Sequence, residues 1–156
     1  MQCFKINHPQ LKNRYDKKKE LFDLEMGRNT NVYEVFHGTQ NARKIAKQGF
    51  NPNLCHSKNR FGRGFYFAPE SSKANSYAYG VKKGCPVHND LACTRCTRQM
   101  LICKLAMGNT FNAKKMGAPP PGFNSIVANP ENVRRLHYPE IAVYHPDQVH
   151  FSTLIY

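Results

Sequence analysis

Four side chains in one short loop limit this chain more than any other feature: Cys85, His88, Cys93 and Cys96, within CPVHNDLACTRC. Two residues separate the members of each pair, and three thiolates with one imidazole make a complete tetrahedral donor set for zinc. No fifth donor is evident in the loop, so the set is closed, and closed sites are structural. The alternative, unmetallated thiols in a polar loop, requires two such pairs to fall together by chance. Cys3, Cys55 and Cys103 lie outside the pattern and read as plain thiols.

The chain has 156 residues, enough for one domain with its own core and no need of disulfide staples. Hydrophobic residues make up 40% and aromatics 12%, which fits a folded globule. No run approaches the ~18 apolar residues of a membrane span, so no membrane partner is expected. The opening segment carries no apolar signal core, and an intracellular setting, cytoplasmic or nuclear, is expected. In that setting six cysteines favour metal ligation or free thiols over a disulfide framework. The formal net charge of +13 favours acidic partners, among them nucleic acid, phosphate-bearing cofactors and anionic polymers, without choosing between them. The densest basic run, Lys17-Lys18-Lys19, reads as a solvated helix face.

Apolar spacing outlines the elements. Residues 2–7 read as a strand stopped by His8-Pro9, and 11–26 as an amphipathic helix ended near Gly27. Residues 31–37 alternate like a strand, and 41–48 form a short helix capped at Gly49. A loop through Arg60 leads to FGRGFYFAPESSKANSYAY, residues 61–79, which reads as a glycine turn, a short aromatic strand and a helix carrying Tyr77. By itself that stretch is either a tight turn feeding a buried strand, or a cleft wall where glycines admit a ligand and tyrosine faces offer stacking. Residues 99–105, 123–127, 140–144 and 151–156 read as strands, with a short element over 111–116 and a proline-stiffened loop over 117–122. Many short strands, few helices and no βαβ rhythm indicate an α+β domain of antiparallel sheets.

Three segments occur in order: Phe36-His37-Gly38-Thr39, Phe61-Gly62-Arg63-Gly64-Phe65-Tyr66-Phe67-Ala68, and Pro139-Glu140-Ile141-Ala142-Val143-Tyr144. Together they resemble the signature segments of the poly(ADP-ribose) polymerase catalytic domain. Within that family the likeness is greatest to the tankyrases. It adds the Ser71-Ser72-Lys73 segment, the Cys/His loop, Arg98-Gln99-Met100-Leu101 and the Ala118-Pro119-Pro120 loop, and it spans nearly the whole chain. The resemblance implies a single domain over 1–156 with the ADP-ribosyltransferase fold, a split β-sandwich of two opposed antiparallel sheets with flanking short helices. It places NAD+ in the cleft between the sheets and a zinc loop at 85–96.

It also implies roles. His37 resembles the histidine that bonds the adenosine-side ribose, Gly38 the residue whose backbone holds the nicotinamide carboxamide, and Thr39 a ribose-contacting hydroxyl. Tyr66 matches the tyrosine flanking the nicotinamide end, Tyr77 the tyrosine stacked on its ring, and Glu140 the glutamate bonded to the nicotinamide-ribose 2′-hydroxyl. Glu140, His37 and Tyr66 are the implied catalytic set. Where many relatives have a serine eight residues after the signature tyrosine, this chain has Ala74, with Ser72 or Ser76 as nearby hydroxyls. His56 stands where tankyrases carry an aromatic hydroxyl.

The implied function is transfer of ADP-ribose from NAD+ to protein acceptors, with elongation to poly(ADP-ribose). The other function class to weigh is a catalytically weak module that binds NAD+, ADP-ribose polymer or nucleic acid through its basic surface.

Overall fold

A computed structural model describes residues 1–80 and 83–156. The elements in chain order are β1 (Cys3–Lys5), α1 (Pro9–Met26), β2 (Val32–Gly38), α2 (Ala42–Gln48), a 3-10 turn (Pro52–Leu54), β3 (Phe65–Phe67), α3 (Ser71–Asn75), β4 (Met100–Ala106), β5 (Thr110–Asn112), β6 (Ser125–Ala128), β7 (Glu140–Val143), a second 3-10 turn (Pro146–Gln148) and β8 (Val149–Ile155). Glycine ends both longer helices as expected. Gly27 adopts the left-handed conformation at φ 65°, and the Gly49 N–H closes onto the Ile45 carbonyl. None of the described helices is long and apolar enough to cross a membrane.

Two four-stranded sheets form, ordered β1-β8-β4-β2 and β3-β7-β6-β5. All pairings in the first are antiparallel, with a register shift between Ile102 and Cys103 where β4 meets β8. The second corrects the expectation of purely antiparallel sheets, because β5 and β6 run parallel. The proline-rich stretch 113–124 is the cause: it carries the chain back to the starting end of the sheet, a crossover of about a dozen residues that a hairpin cannot supply.

Side-chain alternation sorts the second sheet into two faces. Phe65, Phe67, Ile141 and Val143 turn toward the first sheet and join Val35, Leu101, Cys103, Leu105, Val149 and Phe151 in the main core. Ile126, Ala128 and Ala142 turn the other way into a second cluster with Phe61, Ala113, Val133 and Leu136, against which Tyr66 packs. Phe50 ties α2 into the main core, its ring stacked 4.7 Å from Phe65 and edge-on 5.7 Å from Phe67. The Lys17–Lys19 run lies on α1, where Lys19 pairs with Asp23 at 2.7 Å and Lys18 sits over the Phe22 ring. These are local partners of a solvated face, as expected from the sequence.

The sheets meet at a narrow seam. Phe36 of β2 and Ala68, just past β3, exchange backbone hydrogen bonds of 2.8 and 3.0 Å. Pro69 follows and has no N–H to donate, so the pairing cannot continue and the two edges diverge.

Candidate active site and metal loop

At this seam His37 meets the Tyr66 backbone and Gly38 meets α3. The buried side chains of both sheets form the main core, and the candidate site is taken where the end of β2, β3 and α3 come together.

His37 stands on β2 and its Nδ1 lies 2.8 Å from the Tyr66 carbonyl. A carbonyl can only accept, so Nδ1 carries the proton and Nε2 is left as an acceptor. Burial of the ring, which packs edge-on to Phe50 at 5.0 Å, lowers its pKa below the ordinary 6.5 and outweighs the opposing pull of the Tyr66 carbonyl. The imidazole is therefore held in its neutral form at pH 7, with the proton on Nδ1.

Gly38 is the tightest point of the site. A Cβ there would lie 1.7 Å from the Ala74 carbonyl oxygen, so only glycine lets α3 settle against β2. Thr39 continues the strand into α2, its Oγ1 accepting from the Asn41 N–H at 3.1 Å, which leaves its own proton free to donate outward.

Tyr66 belongs to β3 and faces away from the main core. Its hydroxyl accepts from the Phe61 N–H at 2.9 Å and donates to the Gly62 carbonyl at 2.8 Å. Tyr144 donates to the Phe61 carbonyl at 2.6 Å. Two tyrosines therefore fix the 61–64 turn. Burial raises the Tyr66 hydroxyl to about 12 against the lowering effect of the Phe61 N–H, with the Glu140 charge adding to the rise, so it stays protonated at neutral pH. Register explains the closeness of Glu140. Tyr66 pairs with Ala142, and Glu140 lies two residues before Ala142 on the same face of the sheet. The Glu140 side chain is 12% exposed, and its Oε1 lies 3.2 Å from Nη1 of Arg60.

Tyr77 is half-buried, but it does not stand on a helix as its sequence suggested. α3 ends at Asn75, and the chain continues in tighter turns, with the Tyr77 N–H on Ala74 O at 3.0 Å and the Ala78 N–H on Asn75 O at 3.1 Å. One face of the Tyr77 ring holds the Lys73 ammonium at 4.9 Å, and Tyr138 holds the same ammonium at 5.0 Å. Ser72 is exposed on α3, and the Ser76 hydroxyl donates to Lys73 O at 2.7 Å. The atoms nearest Gly38 come from Ala74 and Asn75 instead. Ala74 itself is buried, with no hydroxyl to offer.

The Cys/His loop assembles as its spacing indicated. The four donor atoms of Cys85, His88, Cys93 and Cys96 lie within 4.8 Å of one another. His88 Nδ1 is 3.5 Å from the Cys85 and Cys93 sulfurs and 3.4 Å from that of Cys96. A zinc tetrahedron with bonds of about 2.3 Å to sulfur and about 2.0 Å to nitrogen has sulfur-to-nitrogen edges of about 3.5 Å. The donor set and its spacing therefore fit such an ion, with all four positions filled by the protein. Gly84 permits the loop to close, since a Cβ there would lie 2.3 Å from the Asn89 carbonyl carbon.

Arg98 joins this loop to the candidate site. Its guanidinium donates to Leu91 O at 2.9 Å and Cys93 O at 3.1 Å in the loop, and to Asn75 O at 3.3 Å at the end of α3. Tyr79 adds a bond from its hydroxyl to Cys96 O at 2.9 Å, with Arg98 over its ring. The helix that presses on Gly38 is thus braced from the metal loop. The Arg60–Glu140 contact, the bracing bonds of Arg98 and the Lys73–Tyr138 contact were not foreseen from the sequence, where nothing links residues so far apart.

A family model described as the poly(ADP-ribose) polymerase catalytic domain matches residues 1–156. Among curated proteins, the protein mono-ADP-ribosyltransferase PARP3 of Homo sapiens is 36% identical over 80 residues, covering 48% of this chain and 13% of that protein.

If the loop holds one structural zinc, elemental analysis finds one equivalent per chain, and chelation lowers the melting temperature by at least about 5 °C. An equally stable protein after complete chelation contradicts the structural role.

Proposed function

Because the chain belongs to the poly(ADP-ribose) polymerase catalytic-domain family, we infer that it is an NAD+-dependent ADP-ribosyltransferase: it cleaves the nicotinamide glycosidic bond and passes ADP-ribose to a protein acceptor. The observation that carries this reading is the carboxylate of Glu140, little exposed and on the same sheet face as Tyr66.

Breaking the glycosidic bond leaves positive charge on the ribose, while the electron pair departs with nicotinamide. A fixed carboxylate beside that ribose interacts more strongly with the transition state than with the ground state, which is the requirement for rate enhancement. Hydrogen-bonding to the ribose 2′-hydroxyl is the natural position for Glu140. The Nε2 acceptor of His37 suits a hydroxyl of the other ribose, and Thr39 offers a donor nearby. The backbone of Gly38 receives the carboxamide, and Tyr77 stacks on the nicotinamide ring. The Cys/His loop supports α3 and takes no part in the chemistry; zinc is its fitting occupant.

The human relative is named a mono-ADP-ribosyltransferase, and the product here is taken to be a single ADP-ribose unit rather than a polymer. The basic surface would suit anionic partners, but the enclosed carboxylate favours a transferase over a passive NAD+ or polymer binder.

Incubation with labelled NAD+ tests the reading. Wild type releases nicotinamide and labels itself or an added protein, and Glu140→Gln lowers release about a hundredfold or more while still binding NAD+. Binding with no nicotinamide release by the wild type would establish the binder instead. Ala74→Ser, which adds a hydroxyl beside Gly38, is expected to tighten NAD+ affinity by up to about tenfold, the worth of one neutral hydrogen bond. Calorimetric titration of the two proteins measures that difference.

A further inference from the structure

Arg60 is a side chain that no part of this chemistry requires, yet it is tied to the one that matters most. It lies in the loop before the 61–64 turn and reaches across to Glu140, with Nη1 3.2 Å from Oε1. Arg60 is 48% exposed and Glu140 12%, so the guanidinium approaches the carboxylate from the solvent side. The stretch before Gly117 holds the Arg60 backbone, the Gly117 N–H donating to the Arg60 carbonyl at 2.8 Å, which fixes the root of the side chain. Oε2 of Glu140 has no hydrogen-bond partner among the described residues and is not among their enclosed unsatisfied atoms, so it reaches solvent. The two carboxylate oxygens are therefore inequivalent, one covered by Arg60 and one open.

We propose that Arg60 determines acceptor specificity: by covering Oε1 it withholds the carboxylate from hydroxyl acceptors, while Oε2 remains for the ribose 2′-hydroxyl. The proposal rests on the transferase reading. In transfer to a hydroxyl, the bond from the anomeric carbon to nicotinamide breaks with its electron pair leaving on nicotinamide. The acceptor oxygen then bonds to the anomeric carbon, and its proton must pass to a base, for which Glu140 is the nearest carboxylate on the sheet face. Transfer to a carboxylate makes the same bond with no proton to remove. Arg60 thus selects acceptors that arrive already ionised, and its remaining N–H groups offer such a carboxylate a donor fork. Growth of a chain on ribose hydroxyls is disfavoured by the same contact.

The test uses the whole chain with labelled NAD+ and compares wild type, Arg60→Met and Arg60→Lys. For each, the attached label that resists neutral hydroxylamine, which cleaves carboxylate esters and spares hydroxyl linkages, is divided by the nicotinamide released. Arg60→Met is expected to raise that ratio about fivefold, the upper range for a half-exposed ion pair, with longer products on a gel. Arg60→Lys, which keeps a cation, stays close to wild type. Equal ratios and equal product lengths in all three proteins overturn the proposal. A wild type that releases no nicotinamide overturns the transferase reading and the proposal with it, and is recognised before any variant is compared.

Discussion

The seam between the two sheets is the contact on which the site depends. Phe36 and Ala68 exchange a single pair of backbone bonds, His37 adds one from its ring to Tyr66 O, and Pro69 then stops the ladder. A longer pairing would zip the two sheets together and leave no margin for a ligand. A shorter one would let β3, and with it Tyr66, drift from β2. The same few residues that hold the sheets together supply the neutral imidazole and the glycine backbone. In the proposed reading, binding and architecture therefore share atoms, and substitutions at His37 or Gly38 act on both.

Around the seam, support comes from two directions. On one side, Tyr66 and Tyr144 clamp the 61–64 turn through the backbone of Phe61 and Gly62. On the other, Arg98 bonds carbonyls of the metal loop and of α3 at once, so the helix that touches Gly38 is anchored by a loop with no regular structure of its own. A five-residue helix has little intrinsic stability. Its position is set by these tertiary bonds, so the Cys/His loop bears on the place of α3 against Gly38.

Much of this was legible in the sequence. The ends of α1 and α2 followed from Gly27 and Gly49, the strand positions from alternation, and the clustering of Cys85, His88, Cys93 and Cys96 from their spacing. The segments carrying His37, Tyr66 and Glu140 were recognisable as a set because they resemble one family in order. The remainder depended on tertiary geometry. Tyr77 was expected on a helix, since Ser, Lys, Ala and Asn continue one plausibly, but the chain tightens after Asn75. The parallel pairing of β5 with β6 depends on where the proline loop delivers the chain, which local propensity does not encode. Arg60 and Glu140 are 80 residues apart, and no spacing rule joins them.

In the proposed reading the backbone of Gly38 receives an aromatic carboxamide. The most direct measurement is a benzamide titration of the isotope-labelled protein followed by backbone amide resonances, since benzamide mimics nicotinamide without reacting. A saturable shift centred on Gly38 and Tyr77 is expected, with the amides of α1 unmoved. Saturable shifts confined to other parts of the chain, or none at millimolar benzamide, would contradict it.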